Sequence, residues 1–219
     1  EDLAAHKIAL TAFCMANRFD ERPDAEVAWC AKAARAAKAL GTPAIRIDVV
    51  PRKSGRDAFL KAATETLKKV MDATEATGVA FGIENHGNTT NDPEFLQALF
   101  DGVGSKRLGL TLDTGNFYWY GHPLSKLYDY FEAFAPRIVH THCKNIRYPE
   151  AEREKKRAMG WEYGKYNCPI DEGDVDFTKI VAILKKAGYA NDLCVEDESL
   201  GKLPEAERGK VLAREVGFL

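Results

Sequence analysis

The sequence lacks several features that would place it in a familiar class. No apolar run approaches the ~20 residues that a membrane-spanning helix requires, so we expect no membrane partner. Net charge is nearly absent, with 31 Lys and Arg against 33 Asp and Glu. A nucleic-acid-binding protein usually presents a strongly basic face, so we expect no nucleic-acid partner either.

The five cysteines form no Cys-x-x-Cys pair. An odd, scattered set in a chain of this size favours free thiols over a disulfide framework. This favours a cytoplasmic location. The chain begins with Glu1 rather than Met, so a cleaved export signal stays open as the alternative.

Apolar runs alternate along the chain with longer segments of helical spacing. The predicted strands are Ile8–Met15, Pro43–Val50, Gly78–Asn85, Arg107–Thr114, Arg137–Lys144 and Asp192–Asp197. The predicted helices are Asp24–Leu40, Gly55–Thr77, Asp92–Phe100, Leu124–Ala135, Val175–Ala187 and Pro204–Val216. Strands that alternate with helices predict βαβ units and a parallel sheet. Neither Gly-x-Gly-x-x-Gly nor a Walker A motif is present, which argues against a nucleotide-binding doubly wound sheet.

Five of the six predicted strands carry an ionisable residue within two positions of their C-terminal end, namely Asp48, Glu84, Asp113, His142 and Glu196. A single acid after a strand is often a helix cap, but five in succession are not explained by capping. Glu84, Asp113 and His142 follow one another at intervals of 29 residues, about one βα unit of a barrel. Because barrel enzymes keep their chemistry at the carboxyl ends of the strands, these side chains should meet at one rim.

Three carboxylates and one imidazole at one rim predict a divalent-metal site. Such ligands suit Mn²⁺, Mg²⁺, Co²⁺ or Zn²⁺, and a dication would relieve the repulsion among the carboxylates. The alternative from the residues alone is an ion-pair network of these acids with Arg46, Lys144 and Arg147.

The strand-end motifs resemble the sugar phosphate isomerase/epimerase family, within the xylose isomerase-like TIM barrel superfamily. The motifs that carry the resemblance are Ile45-Arg-Ile-Asp48, Gly82-Ile-Glu-Asn-His-Gly87, Leu112-Asp-Thr-Gly-Asn116, Val139-His-Thr-His-Cys-Lys-Asn145, Gly173-Asp-Val-Asp-Phe177 and Val195-Glu196. The resemblance runs from about residue 40 to 200. It implies an α/β fold of the TIM (β/α)8 type.

The resemblance also implies residue roles. Glu84, Asp113, His142 and Glu196 would bind one divalent ion, for which we expect Mn²⁺, with Mg²⁺, Co²⁺ and Zn²⁺ as alternatives. Glu84 and Glu196 would also act as the two acid/bases, on opposite faces of the substrate. The family's histidine ligand aligns with the second histidine of His-x-His, so His140 would face inward behind the ligands.

One position departs from the family pattern. Ketose epimerases of the family carry Asp-x-x-His at the strand of Asp113, whereas this chain has Asn116 in place of that histidine. Asn116 can hydrogen-bond a sugar hydroxyl but cannot change its charge, which argues against 3-epimerisation of a free ketose. We place Asn116 and four further residues at the substrate, namely Asp48, His86, Lys144 and Arg147.

From this resemblance we expect an isomerase or epimerase that acts on a ketose, keto-sugar or related sugar derivative through a metal-stabilised enediolate. The alternative is a lyase on the same site, of the inosose dehydratase or keto-glycoside-eliminating type. Two less favoured functions are a metal-dependent endonuclease, for which five histidines and a net charge of −2 are poorly suited, and a non-catalytic sugar-binding barrel. The sequence leaves a homo-oligomer open.

The strand count bears on the length of the barrel. Six predicted strands leave an eight-stranded barrel short of its first one or two βα units, and an open barrel would expose unpaired strand edges. We therefore expect residues 1–219 to form a single barrel domain that is incomplete at its N-terminus, with a further segment before Glu1 or another chain closing the sheet.

Overall fold

A computed structural model describes residues 2–219. The strands are β1 (Ala12–Met15), β2 (Ala44–Ile47), β3 (Ala80–Glu84), β4 (Leu108–Asp113), β5 (Ile138–His142), β6 (Asn145–Ile146) and β7 (Asn167–Cys168). The α-helices are α1 (Asp2–Ala5), α2 (Pro23–Leu40), α3 (Arg56–Ala73), α4 (Pro93–Val103), α5 (Asn116–Tyr120), α6 (Leu124–Phe134), α7 (Tyr163–Tyr166), α8 (Phe177–Lys186) and α9 (Glu205–Phe218). Single 3₁₀ turns lie at Glu75–Thr77, Ala135–Arg137, Glu150–Glu152 and Leu200–Lys202.

Five strands form one sheet in chain order, β1-β2-β3-β4-β5, and β6 pairs with β7 in an antiparallel ribbon. The first four strands are parallel, and in their register Arg46 of β2 lies beside Gly82 of β3, and Glu84 beside Thr111 of β4. Long helices connect successive strands of the sheet. The predicted βαβ architecture is confirmed, and the first five predicted strands each contain an observed strand.

The chain divides into two compact units, with the boundary inside β4 between Thr111 and Leu112. The first unit has a core of buried strand and helix side chains, among them Ile45, Ile47, Phe59, Leu67, Phe81, Ile83, Phe95 and Leu99. The second unit has its own core, which includes Leu112, Phe117, Leu127, Phe131, Ile146, Ile180 and Leu184. No helix within residues 2–219 combines the length and apolarity needed to cross a bilayer.

Local sequence signals set most helix ends. The Asp92 side chain accepts a hydrogen bond from the backbone N–H of Glu94 and Pro93 occupies the first turn, so α4 begins there. Helix α2 ends at Gly41, whose φ of 71° is accessible to glycine at little cost. Helix α3 ends at Ala73, before the predicted Thr77, because the Thr74 hydroxyl donates to the Val70 carbonyl at 2.7 Å and the chain tightens into a 3₁₀ turn.

The prediction of a sixth strand at Asp192–Asp197 is wrong in extent. The structure has a single parallel bridge there, between Cys143 and Val195. The Thr141 hydroxyl, rather than the β5 backbone, donates to the Asp192 carbonyl at 2.9 Å and accepts from the Cys194 N–H at 3.2 Å. The Thr141 hydroxyl thus bonds a backbone carbonyl and a backbone N–H that would pair with the backbone of β5 in a regular ladder.

A polar connection, Tyr148–Lys165, follows β6, and we call it the charged segment. Arg157 anchors it: the guanidinium packs on the rings of Tyr118 and Tyr148, with centroid distances of 4.5 and 4.4 Å. The same group donates to the carbonyls of Tyr118 and His122. The charged segment is therefore held by a half-buried cation as well as by surface ion pairs.

Candidate active site

The ionisable residues predicted at the strand ends occupy those positions. Glu84, Asp113 and His142 are the last residues of β3, β4 and β5, and Asp48 directly follows β2. Glu196 follows the Cys143–Val195 bridge, where its N–H donates to the Cys143 carbonyl at 2.9 Å. The carboxyl end of a parallel sheet is the edge at which α/β proteins place their sites.

In the first unit, the Glu84 carboxylate pairs with a neighbouring guanidinium. Arg46 lies beside Gly82 in the ladder, and its Nε donates to Glu84 Oε2 at 2.7 Å, with a second contact from Nη2. The Glu84 side chain is only 3% exposed. A charge-assisted bond of this kind fixes the carboxylate in place.

Asp48 and His86 form a second polar pair in the first unit. His86 Nδ1 lies 3.2 Å from Asp48 Oδ1, and Arg52 donates to Asp48 Oδ2 at 2.9 Å. The hydrogen bond to Asp48 raises the pKa of His86 above its ordinary value. The backbone N–H of Asp48 donates to the Asn17 side chain, which holds the loop after β2. Both residues are predicted from the sequence to bind substrate, and the structure brings them together.

In the second unit, the run after β4 orients Asp113. The backbone N–H groups of Gly115 and Asn116 donate to Asp113 Oδ1 at 2.9 and 2.8 Å. With Oδ1 held by these bonds, Oδ2 lies 2.9 Å from the ammonium of Lys144. The Asp113 side chain has no exposure to solvent.

Thr114 and Gly115 explain why Lys144 can reach this position. The Thr114 N–H donates to the His142 carbonyl, and the Thr114 hydroxyl donates to the carbonyl of Lys144 at 2.7 Å and accepts from its N–H. These bonds fix the Lys144 backbone beside the end of β4. A Cβ on Gly115 would lie 2.8 Å from Lys144 Cγ, so only glycine leaves room for the lysine side chain.

Lys144 is the cation of an acidic cluster in the second unit. Its ammonium lies 2.9 Å from Asp113, 3.1 Å from Glu198 and 3.6 Å from Glu196. Burial alone would lower the pKa of Lys144, but the carboxylates of Asp113 and Glu196 outweigh it and hold that pKa well above its usual range. Three carboxylates therefore face one lysine ammonium, and the cluster keeps an excess of negative charge.

The donor atoms of this cluster fit a divalent ion. Ligand atoms of Asp113, His142 and Glu196 all lie within 4.8 Å of one another, and His142 Nδ1 is 3.3 Å from Glu196 Oε2. Two carboxylates and an imidazole are ligands that Mn²⁺, Mg²⁺, Co²⁺ and Zn²⁺ accept. The excess negative charge around Lys144 favours a dication at the same place.

The ion-pair network considered as an alternative is present in part. Arg46 pairs with Glu84 in the first unit, and Lys144 pairs with Asp113 and Glu196 in the second. These pairs leave the acids of the second unit in excess.

Three other predicted residues differ in their surroundings. Asn116 is only 4% exposed, and within residues 2–219 its Nδ2 donates no hydrogen bond. Arg147 is exposed, on the loop after β6, and its backbone N–H donates to Tyr166. His140 is buried, with its ring 5.0 Å from that of His142 and its Nδ1 2.8 Å from Asp192.

Sequence reasoning missed Glu198 and Tyr163. Glu198 contacts Lys144, and the Tyr163 hydroxyl donates to Glu198 Oε2. Glu198 could have been found, because it lies two residues after Glu196 and alternate residues of an extended segment share a face. No pattern in the charged segment pointed to Tyr163, which reaches the cluster from a distant part of the sequence.

Comparison with known families identifies the fold to which this site belongs. A family model described as the xylose isomerase-like TIM barrel matches residues 1–219. The chain therefore belongs to the xylose isomerase-like TIM barrel family. The fold class and the resemblance inferred from the strand-end motifs are confirmed.

Curated relatives match part of the chain. Inosose dehydratase from Clostridium beijerinckii is 29% identical over 144 residues, which are 63% of this chain and 47% of that protein. Inosose dehydratase from Clostridium perfringens is 26% identical over 143 residues, again 63% of this chain and 47% of that protein. The chain thus spans about half the length of the curated relatives it matches.

A solved structure shows the same fold. The xylose isomerase-like TIM barrel protein from Mycobacterium smegmatis, in complex with magnesium, superposes with a TM-score of 0.69 at 17% identity. The match covers 98% of this chain and 76% of that one. At this identity, the likeness concerns the fold.

Proposed function

We propose that the protein is a divalent-metal-dependent enzyme that removes the proton next to the carbonyl of a keto-sugar or related sugar derivative. The observation that carries the proposal is the cluster of Asp113, His142 and Glu196, whose ligand atoms lie within 4.8 Å of one another beside a buried lysine. The arrangement combines metal ligands with a carboxylate that can move protons, which is what abstraction of a weakly acidic C–H requires.

We propose Glu84 as the fourth ligand. Glu84 ends β3 and lies beside Thr111 of β4. Asp113 lies two residues after Thr111 on β4, so the side chains of Thr111 and Asp113 share one face of that strand. Mn²⁺ is our first choice of metal, with Mg²⁺, Co²⁺ and Zn²⁺ as alternatives. When bound, the metal would supply a Lewis acid that stabilises the negative charge developing on the substrate carbonyl oxygen.

The protein side chains would do the proton chemistry. Glu84 and Glu196 would each remove or return a proton at the carbon next to the carbonyl. Arg46 holds the Glu84 carboxylate, and Lys144 and His142 lie within 3.6 Å of Glu196 Oε2. Proton return from the face opposite to removal inverts the carbon, which makes the reaction an epimerisation.

Further polar groups would bind the substrate. The amide of Asn116, which donates no hydrogen bond within the described part of the chain, would donate to a sugar hydroxyl. Lys144 would hold a keto or hydroxyl oxygen, and Asp48, His86 and Arg147 would contact the rest of the sugar. That the whole chain forms one barrel domain around this substrate stays a prediction.

A lyase is the second candidate, and the curated relatives favour it. Two inosose dehydratases match this chain at 26% and 29% identity. Loss of a β-hydroxyl after the same proton removal gives dehydration, so one site can support either outcome. In that reaction one glutamate would remove the α-proton and the second would protonate the departing hydroxyl.

Proton NMR in D₂O tests the proposal. We expect Mn²⁺-loaded protein to exchange the proton α to the carbonyl of a keto-inositol or ketose for deuterium, and the product to distinguish epimerisation from dehydration. Glu84→Gln and Glu196→Gln should each lower the exchange rate at least about 100-fold, the lower end of general acid–base contributions. The exposed Glu132→Gln on α6 is the matched control and should exchange at the wild-type rate.

Two outcomes would refute the proposal. One is an absence of exchange with every keto-sugar offered. The other is exchange that survives both glutamate substitutions, since it would place the base elsewhere.

A further inference from the structure

A second group of metal-ligating side chains lies in the second unit. One of its members, His140, is on β5 two residues before His142. His140, Asp192 and Cys194 present ligand atoms that all lie within 4.8 Å of one another. His140 Nδ1 is 3.0 Å from Asp192 Oδ1 and 2.8 Å from Oδ2. The group combines nitrogen, oxygen and sulfur donors, whereas the proposed function uses carboxylates and an imidazole.

Strand geometry places the three side chains on one face. The parallel bridge pairs Cys143 with Val195, and bridged residues of neighbouring strands point to the same side. Cys194 therefore points to the opposite side, which is the side of His140 on β5 because residues 140 and 143 differ by an odd number. The same alternation brings Asp192 to that side.

The backbone around the group is fixed by Thr141. The Thr141 hydroxyl donates to the Asp192 carbonyl and accepts from the Cys194 N–H. The Tyr189 hydroxyl also donates to the Asp192 carbonyl, at 2.8 Å. The segment from Asp192 to Cys194 is thus held against β5 by side-chain hydrogen bonds, so its donor atoms are oriented before any ligand arrives.

We propose that His140, Asp192 and Cys194 form a second cation site that takes a borderline-soft divalent ion such as Zn²⁺ or Co²⁺. A neutral imidazole, a carboxylate and a thiolate carry two negative charges, which a dication balances. Thiolate and imidazole donors select Zn²⁺ and Co²⁺ over Mg²⁺ and Mn²⁺. Three protein ligands leave a fourth tetrahedral position for water, as in zinc sites that keep an open position.

The His140–Asp192 contact is compatible with such a site. Ligands of a tetrahedral Zn²⁺ lie about 2.0–2.3 Å from the metal, and therefore roughly 3.3–3.7 Å from one another. His140 Nδ1 lies 2.8 and 3.0 Å from the two Asp192 carboxylate oxygens, so these side chains need to move apart by less than about 1 Å to admit the ion. A simpler role is a hydrogen-bonded His–Asp pair that orients the ring of His142, in which case Cys194 binds nothing.

Cobalt titration separates these two roles, because a Co²⁺–thiolate bond has a near-ultraviolet charge-transfer absorption that carboxylate and imidazole ligands lack. Protein dialysed against a chelator would be titrated with Co²⁺, with bound metal measured by equilibrium dialysis. We expect two equivalents per chain and a charge-transfer band. Cys194→Ser should remove the band and one equivalent.

Matched variants assign the band. Cys168→Ser changes a thiol of similar, intermediate burial outside the group and should keep both the band and the second equivalent. Asp113→Asn disrupts the other cluster and should keep the band, so a failure of the proposed function does not imitate a failure here. Asp192→Asn should weaken binding of the band-forming ion at least tenfold, and it provides a second test if Cys194→Ser does not fold.

Two results would overturn the inference. One is a wild-type protein without the charge-transfer band, and the other is a band that keeps its wild-type intensity in Cys194→Ser or its wild-type affinity in Asp192→Asn.

Discussion

Replacing Lys144 with methionine would remove an ammonium that lies 2.9 Å from Asp113, while keeping a side chain of similar length over Gly115. The Lys144–Asp113 pair is the buried part of the cluster, with exposed side-chain fractions of 7% and 0%. Removing one partner of a buried ion pair costs about 3–5 kcal/mol, because the other charge is left uncompensated.

The remaining contacts add little to this figure. The side chains of Glu196 and Glu198 are 38% and 44% exposed, so solvent screens their pairing with Lys144 to less than ~1 kcal/mol each. We therefore expect Lys144→Met to lower the free energy of unfolding by about 3–5 kcal/mol in the presence of a chelator. For a chain of this size that corresponds to a fall in Tm of roughly 6–20 °C.

Thermal unfolding with and without Mn²⁺ gives the sharper result. A dication would replace the lost positive charge, and the variant has no ammonium to compete with it. Mn²⁺ should therefore raise the Tm of Lys144→Met by more than it raises the Tm of the wild type. In the wild type, Mn²⁺ at 100 times its Kd would add about 2.7 kcal/mol to the free energy of unfolding. The exposed Lys126→Met on α6 is the control and should change the free energy of unfolding by less than about 0.5 kcal/mol.

A Lys144→Met variant as stable as the wild type in chelator would contradict this prediction. An equal shift of both proteins by Mn²⁺ would also contradict it, because the lysine and the metal would then not share one set of carboxylates.

Two further predictions concern the loops. Asp20 accepts backbone N–H groups of residues 52–54 at 2.9–3.2 Å, and although burial opposes them, these bonds hold its pKa below 3.8. Asp20→Asn should cost about 2 kcal/mol at pH 7, and urea unfolding should show this difference shrinking as the pH falls below 3.8; a difference that grows would contradict the assignment. Arg157→Met should remove the cation packed on Tyr118 and Tyr148. Limited proteolysis of the charged segment should then become at least tenfold faster, which corresponds to a loss of about 1.4 kcal/mol of local stability. An unchanged rate would show that other contacts hold the segment.

The strand ends were predictable from sequence because two independent patterns coincide there. Apolar runs mark buried parallel strands, and Glu84, Asp113 and His142 stand at their carboxyl ends at equal intervals. Hydrophobic periodicity and the length of a βα unit are local properties that do not depend on how distant segments pack. The positions of these three residues followed without knowledge of any tertiary contact.

What the sequence could not show depends on single side chains that reach across the chain. The Thr141 hydroxyl replaces the ladder at Asp192, so a segment with a strand-like pattern forms only one bridge. Tyr163 meets Glu198 through a connection with no periodicity, and Lys144 lies over Gly115 because that residue has no Cβ. Each of these contacts joins residues that are far apart in sequence or depends on exact backbone approach.

The proposal on which the mechanism depends is that Glu84, Asp113, His142 and Glu196 would together bind one divalent ion at the strand ends. Crystals soaked in Mn²⁺ and measured at the manganese absorption edge test it most directly. We expect an anomalous-difference peak about 2.0–2.3 Å from one side-chain atom of each of the four residues. A peak that lacks Asp113 or Glu84 among its ligands, or no peak at this edge of the sheet, would contradict it.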